Sequence, residues 1–331
     1  MESPRFLHTG SSLLNLALTG DIDKGWPVQR ISNIIGDTST GKTLLAIEAA
    51  CNVTNRKKPG EVVYIESESA FDTEYAQQLG LEKDKVDYRT CRTVEELYVI
   101  IKEVAEKTSP DVDTLIIVDS LDALSSTAET EREMDKGTFN TDKQRKLNEM
   151  FRRLVADIES SNIHLMLISQ LRVNIGAGLY GPKHVRSGGK SLDFFSTHIL
   201  WLYEAGKMKD AKSGLVQGMY VKVKVTKNKI SNPHREAIFP IIPKFGIDEV
   251  SSLIEFLTAP DYFPPEIAIV NNRQNLKYAD EEDTKKKAKF IEMIENDAKE
   301  YDKLKKRVQA GWEFMENQAK LVRKKKNLLG K

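Results

Sequence analysis

Between about residue 28 and residue 170, short apolar runs alternate with segments whose apolar residues recur every three or four positions. An unbroken or alternating apolar run marks a strand, and a period near 3.6 marks a helix with one buried face. The pattern predicts strands at 29–35, 61–65, 86–91, 114–119 and 163–169, and helices at 43–55, 74–79, 93–107 and 141–160. The helix at 93–107 opens with Thr93 three residues before Glu96, a capping box, and carries Val94, Leu97, Tyr98, Ile101 and Val104 on one side. The helix at 141–160 does the same with Leu147, Met150, Phe151, Leu154, Val155 and Ile158. Leu115, Ile116, Ile117 and Val118 leave no polar face, as in a strand buried on both sides. Strand and helix in alternation predict an α/β core, a parallel sheet covered by helices on both faces.

The rhythm changes after residue 190. Strands are predicted at 198–204, 218–226 and 236–242 with no helix between them, and Val221, Val223 and Val225 alternate with Lys222, Lys224 and Thr226. These three are expected to extend the sheet with antiparallel order. The run PDYFPP at 260–265 marks a boundary. Beyond it, 280–326 is rich in lysine, and Ile294, Tyr301, Val308, Met315 and Val322 are spaced by seven. Asp297, Gly311 and Gln318 occupy the companion positions, so a solvated helix with one packed stripe is expected rather than a coiled coil. The predicted organisation is a short opening segment at 1–28, a core at 29–258 and a charged helical region at 259–331.

Composition narrows the function classes. The 331 residues are 40% apolar and carry a formal charge of +1, so any anion site must come from local clustering. Cys51 and Cys91 are the two cysteines, and MESPRFLHTG has no apolar leader, which points to reduced thiols in a cytoplasm. No apolar run is long enough to span a bilayer, so no membrane partner is expected.

Gly36-Asp37-Thr38-Ser39-Thr40-Gly41-Lys42-Thr43 fits G-x-x-x-x-G-K-[ST] between a predicted strand and a predicted helix. Backbone N–H groups of such a loop cradle phosphate oxygens at a helix N-terminus. Lys42 then reaches the outer phosphates of ATP, and the Thr43 hydroxyl serves Mg2+. Asp119 ends an apolar strand, where its carboxylate falls beside that loop and the metal. Glu66 and Glu68 follow another strand end, and one of them is expected to face the γ-phosphate.

ISQLRVNIGAGLYGPKHVRSGGKS, at 168–191, begins as an apolar strand and becomes a loop with five glycines. Glycine makes a segment costly to order, so such a loop suits one that orders on a ligand. Arg172, Lys183, Arg186 and Lys190 give it positive charge for a polyanion, Gly176, Gly188 and Gly189 let a backbone approach closely, and Asn174 is a further candidate contact.

Six motifs in order resemble the bacterial RecA recombinase family over about residues 8–250: Thr9-Gly10-Ser11 with the following leucines, GDTSTGKT, YIESESAFDTEYAQQLG, LIIVDSLDAL, ISQLRVNIG with its loop to SGGKSLDFF, and VTKNKISNP. The resemblance implies a RecA-like P-loop NTPase core. It implies that Glu68 positions the attacking water, that Asp72 and Tyr75 hold adenine, and that Gln170 senses the γ-phosphate. It makes the glycine loop the second of two DNA-binding loops. The first would lie in 125–140, with Arg132 and Lys136 among several acidic residues. Lys227 and Lys229 would reach the γ-phosphate of a neighbouring subunit. About eight residues precede the opening motif, where the family has a longer docking helix and strand. Phe6 and Leu7, or the C-terminal helix, are the expected substitutes, and a compact phage-type member acting in bacterial cytoplasm is the expectation. The implied activity is DNA-stimulated ATP hydrolysis by a filament on single-stranded DNA that pairs it with double-stranded DNA. The alternatives are a recombination mediator or regulatory paralogue and a hexameric helicase of the same fold.

Overall fold

A computed structural model describes residues 5–68, 71–131, 141–173, 184–186, 189–210, 212–258 and 262–320. The chain divides into two compact units, Met1–Glu249 and Val250–Lys331.

The first unit opens with β1 (Phe6–Leu7), α1 (Ser12–Thr19) and β2 (Trp26–Pro27). Ser11 caps α1 by accepting from Leu14 N–H, and Gly20 closes it in the left-handed region at φ 80°. β1 pairs with β2, Leu7 against Trp26, so Phe6 and Leu7 are engaged within their own chain. The α/β core follows as β3 (Arg30–Gly36), α2 (Lys42–Asn55), β4 (Glu61–Glu66), α3 (Thr73–Gln78), β5 (Val86–Thr90), α4 (Val94–Lys107), β6 (Thr114–Asp119), α5 (Thr127–Thr130), α6 (Thr141–Ser160) and β7 (Ile163–Val173). The capping box predicted for α4 is present in both directions. Leu115 to Val118 and Leu165 to Ile168 are fully buried, as strands covered on both faces must be. Leu97 and Ile101 of α4 join Leu147, Phe151 and Leu154 of α6 and Ile116 of β6 in one cluster.

The unit closes with β8 (His184–Arg186), α7 (Gly189–Phe195), β9 (His198–Lys209), β10 (Val216–Asn228), β11 (Glu236–Ile242) and β12 (Gly246–Ile247). Among the described residues the sheet runs β12-β11-β10-β9-β3-β7-β6-β4-β5. Strands β9, β3, β7, β6, β4 and β5 run parallel to one another. The edge from β9 to β12 is antiparallel, the predicted extension. β9 and β10 are longer than the pattern predicts. Val216 at the outer end of β10 and Leu215 just before it are exposed, which blunts the alternation that marks a strand in the sequence.

The second unit departs further from expectation. It holds most of α8 (Glu249–Leu257), then β13 (Ile269–Asn272), β14 (Asn275–Tyr278), β15 (Lys285–Lys286), α9 (Lys287–Asn296) and α10 (Ala298–Gln318). The three short strands form a sheet of their own, missed because four-residue strands show little periodicity. Among the described residues, the single long helix expected at 280–326 is two helices, divided at Asp297, whose carboxylate caps α10 by accepting from Lys299 N–H; Val322 lies outside the described residues. The stripe that packs is Phe290 and Ile294, then Leu304, Val308, Gly311 and Trp312, whereas Tyr301 and Met315 stay half-exposed. Val250, Leu253, Ile254 and Leu257 of α8 are buried, and a Cβ at Gly311 would meet Leu257 and Phe256. That packing puts the division nine residues before the expected one at 258/259.

Candidate nucleotide site and loop interface

Ligands of open parallel sheets bind beyond the carboxyl ends of the strands, where connections leave in opposite directions. The sequence motif sits there. Gly36 ends β3 and Lys42 opens α2, so the loop 37–41 wraps the start of a helix. Gly41 has φ 87°, a conformation that a side chain would strain, and a Cβ there would lie 2.7 Å from Ile241 Cδ1. Thr40 Oγ donates to the Asp37 carbonyl at 2.8 Å and braces the turn. Lys42 Nζ donates to the same carbonyl at 2.6 Å. Burial holds the Lys42 ammonium below its ordinary range, against the pull of Asp119, Asp37, Glu68 and Asp122.

Thr43 and Asp119, 76 residues apart, meet: Thr43 Oγ1 donates to Asp119 Oδ2 at 2.8 Å. Tyr64 donates its hydroxyl to the same oxygen, also at 2.8 Å. Burial pushes the Asp119 carboxyl above the usual range, while the bonds from Thr43 and Tyr64 oppose that rise. Among the described residues no group of three His, Cys, Asp or Glu could hold a metal by itself. A hydroxyl and one carboxylate suit Mg2+, which keeps most of its water and takes phosphate oxygens.

Beyond β4 the two glutamates are held by different bonds. Glu66 Oε1 accepts from Glu68 N–H at 3.0 Å, so the chain bends between them. Glu68 Oε1 accepts from Ser120 Oγ at 2.5 Å. Ser67 Oγ donates to the Ser120 carbonyl and accepts from Ser120 N–H, and the Asp119–Ser120 peptide is cis. Glu66, Glu68, Asp72, Tyr75, Thr43 and Asp119 line one cavity of about 250 Å3. Tyr75 also borders a second, of about 460 Å3, which continues past Ser39 to Thr43 toward Glu204 and Met219. Asp72 caps α3 by accepting from Tyr75 N–H at 2.9 Å. Tyr75 therefore stands at the junction of both cavities, with Asp72 beside it in the smaller one.

Gln170 lies opposite Gly36 in register, and its Nε2 donates to Thr38 Oγ1 at 3.2 Å. From the next residue, β7 pairs with β8 in antiparallel register, Leu171 with Arg186 and Val173 with His184. The base of the glycine loop is thus a short hairpin built on the strand that touches the phosphate loop. Arg172 and Arg186 are members of that hairpin, and Gly189 and Lys190 begin α7. Asn174, Gly176, Lys183 and Gly188 lie outside the described residues, as do Arg132 and Lys136. Lys227 and Lys229 are elsewhere. Lys227 pairs with Ile199, three residues before Leu202, the partner of Gly36. That is about 10 Å along the strand from the phosphate loop. Lys227 Nζ donates to the Asp193 and Phe194 carbonyls at the end of α7, and Lys229 Nζ reaches Phe194 as well.

Residues 4–248 match the family described as the RecA N-terminal domain. The chain belongs to the RecA family. It is 34% identical over 250 residues to Protein RecA of Wolbachia sp. subsp. Brugia malayi (strain TRS), covering 75% of this chain and 67% of that protein. It is 35% identical over 252 residues to Protein RecA of Aquifex aeolicus (strain VF5), covering 76% and 69%. Protein RecA of Acinetobacter baumannii (strain AYE) is 31% identical over 262 residues, covering 79% and 71%. The RecA match ends where the first compact unit ends. No helix among the described residues is long and apolar enough to cross a membrane.

Tyr64 and Ser120 belong to this RecA site but escaped the sequence reading, as did Asp122, which lies beside it on the edge of β7. Tyr64 had one signal, a hydroxyl inside the apolar run Val62-Val63-Tyr64-Ile65, where a buried tyrosine needs a partner.

Proposed function

We propose that this RecA-family chain is an ATP-dependent DNA recombinase that binds single-stranded DNA as a head-to-tail assembly and pairs it with double-stranded DNA. The observation that carries the proposal is the bond from Gln170 to Thr38, on a strand that enters the hairpin at the base of the glycine loop at the very next residue. Phosphate contact and DNA contact then share one rigid element.

Bound ATP–Mg2+ supplies the phosphoryl group and much of the charge neutralisation. Gly36, Asp37, Thr38, Ser39, Thr40 and Gly41 wrap the phosphates, and Lys42 adds positive charge. Thr43 and Asp119 hold the metal. Glu68, fixed by Ser120, orients the attacking water. Asp72 and Tyr75 hold the base. Lys227 and Lys229 face away from their own phosphate loop, which suits a role at the next subunit's γ-phosphate. Arg172, Arg186 and Lys190 contact the DNA backbone.

The test is ATPase activity with and without single-stranded DNA, beside electron microscopy with an ATP analogue. DNA should stimulate hydrolysis and give continuous helical filaments. Lys42→Ala should abolish turnover, and Glu68→Gln should bind nucleotide without turning it over. Closed rings select the helicase reading. Isolated subunits without strand exchange select the mediator reading, which the engagement of Phe6–Leu7 with their own Trp26–Pro27 favours over the filament.

A further inference from the structure

β7 outruns its neighbour. Its register with β6 ends at Leu167 opposite Val118, yet β7 continues to Val173. Two bonds from the segment after β6 take over along that edge. Leu121 N–H donates to the Ile168 carbonyl at 3.0 Å. Gln170 N–H donates to Asp122 Oδ2 at 2.6 Å. Asp122 is buried, 6% exposed, and its own carbonyl accepts from Lys143 Nζ at 2.9 Å. Lys143, 7% exposed, sits in the first turn of α6, directly after the stretch expected to hold the first DNA loop. The Asp122 charge also acts on Lys42 in the phosphate loop.

One residue therefore bonds to the strand that leads into the second loop and to the helix that leads out of the first. A buried strand-edge N–H requires an acceptor, and a buried ammonium requires a polar neighbour. Both requirements converge on Asp122. When the side chain of Gln170 responds to a γ-phosphate, its backbone can shift only as far as Asp122 allows. A shift of Asp122 in turn moves the anchor of Lys143.

We propose that Asp122 is the positioning residue through which the nucleotide site controls both loop-bearing elements, with Lys143 as its link to α6. The inference rests on the reading of the chain as an ATP-gated DNA-binding protein.

The experiment compares the full chain with Asp122→Ala, Asp122→Asn and Lys143→Met. Fluorescence anisotropy of a labelled single-stranded oligonucleotide gives the DNA affinity with and without Mg2+ and a slowly hydrolysed ATP analogue, and the ratio of the two is the readout. A fluorescent ATP analogue measures nucleotide affinity separately. Wild type should show a ratio of about tenfold or more. D122A should bind nucleotide within roughly threefold of wild type while its ratio falls roughly fivefold, and K143M should lose a similar share. D122N keeps an acceptor oxygen for Gln170 N–H and should stay within about twofold of the wild-type ratio. A wild-type ratio in D122A, or a D122N loss as large as that of D122A, overturns the proposal. If circular dichroism shows D122A unfolded, K143M decides, and a wild-type ratio there overturns it. A wild-type protein with equal DNA affinity in both conditions overturns the functional reading and the proposal together. A coupled wild type beside a coupled D122A overturns only the role of Asp122.

Discussion

Tyr64→Phe isolates one bond at the Asp119 carboxylate, the proposed metal ligand. Tyr64 is fully buried, and its ring packs on Phe71 and Tyr88 with centroids 4.4 and 6.0 Å away. Phenylalanine keeps that packing and removes the hydroxyl that donates to Asp119 Oδ2 at 2.8 Å. A bond to a charged group is worth about 1.5–3 kcal/mol, and leaving a half-buried acceptor with its second donor, Thr43, trims the loss to about 1–2 kcal/mol. The pH dependence gives the sharper test. Burial raises the Asp119 carboxyl above its unfolded range, so ionisation opposes folding near neutral pH, and Tyr64 offsets part of that opposition. The difference between variant and wild type is thus full where Asp119 is ionised and shrinks as pH falls through its titration. Urea unfolding followed by tryptophan fluorescence at a series of pH values from 7.5 downward measures it. A difference below about 0.3 kcal/mol at pH 7.5, or one that does not shrink as Asp119 is protonated on acidification, refutes the argument. The same variant should require more Mg2+ for half-maximal ATPase activity, because Asp119 becomes harder to ionise.

Arg186→Ala combined with Lys190→Ala should weaken single-stranded DNA binding and reduce the slope of log affinity against log salt by about 1–2, read from anisotropy titrations at several salt concentrations. An unchanged slope removes these residues from the DNA contact. His164 and His198 are buried, and burial pushes them down to about 4 and about 3. Both stay neutral in the fold, so their contribution is fully present above their unfolded range and is lost as pH falls from about 6.5 toward those values. His198→Val should flatten the decline in stability between pH 6.5 and pH 4 by up to about 1.4 kcal/mol per pH unit, and an identical slope would sink the assignment.

The α/β core was readable because its signals are local. Leu115 to Val118 admit no exposed face, Thr93 with Glu96 marks a helix start, and Gly36 to Thr43 can serve one kind of turn. The meeting of Thr43 with Asp119 was readable because two strand ends in a parallel sheet share an edge. Ser120 and Asp122 were not readable, since each acts through a backbone atom or a partner set by the bend after β6, and residue type alone does not report that bend. The second unit was hardest. Its lysine-rich stretch suggested one helix because charge says nothing about where a helix stops, and the stop depends on one aspartate turning to cap the next helix. Phe6 and Leu7 illustrate the same limit, since two apolar residues do not disclose whether their pairing partner lies in their own chain.

Lys227 and Lys229 lie at the end of the sheet away from the phosphate loop of their own subunit. Where turnover uses these lysines, each subunit lends them to one neighbour and borrows from the other. In an open run of n subunits only n − 1 pockets are complete, so output per subunit climbs with run length and a lone subunit stays silent. Short runs are then inefficient, and fragmentation switches off turnover without any change in nucleotide affinity.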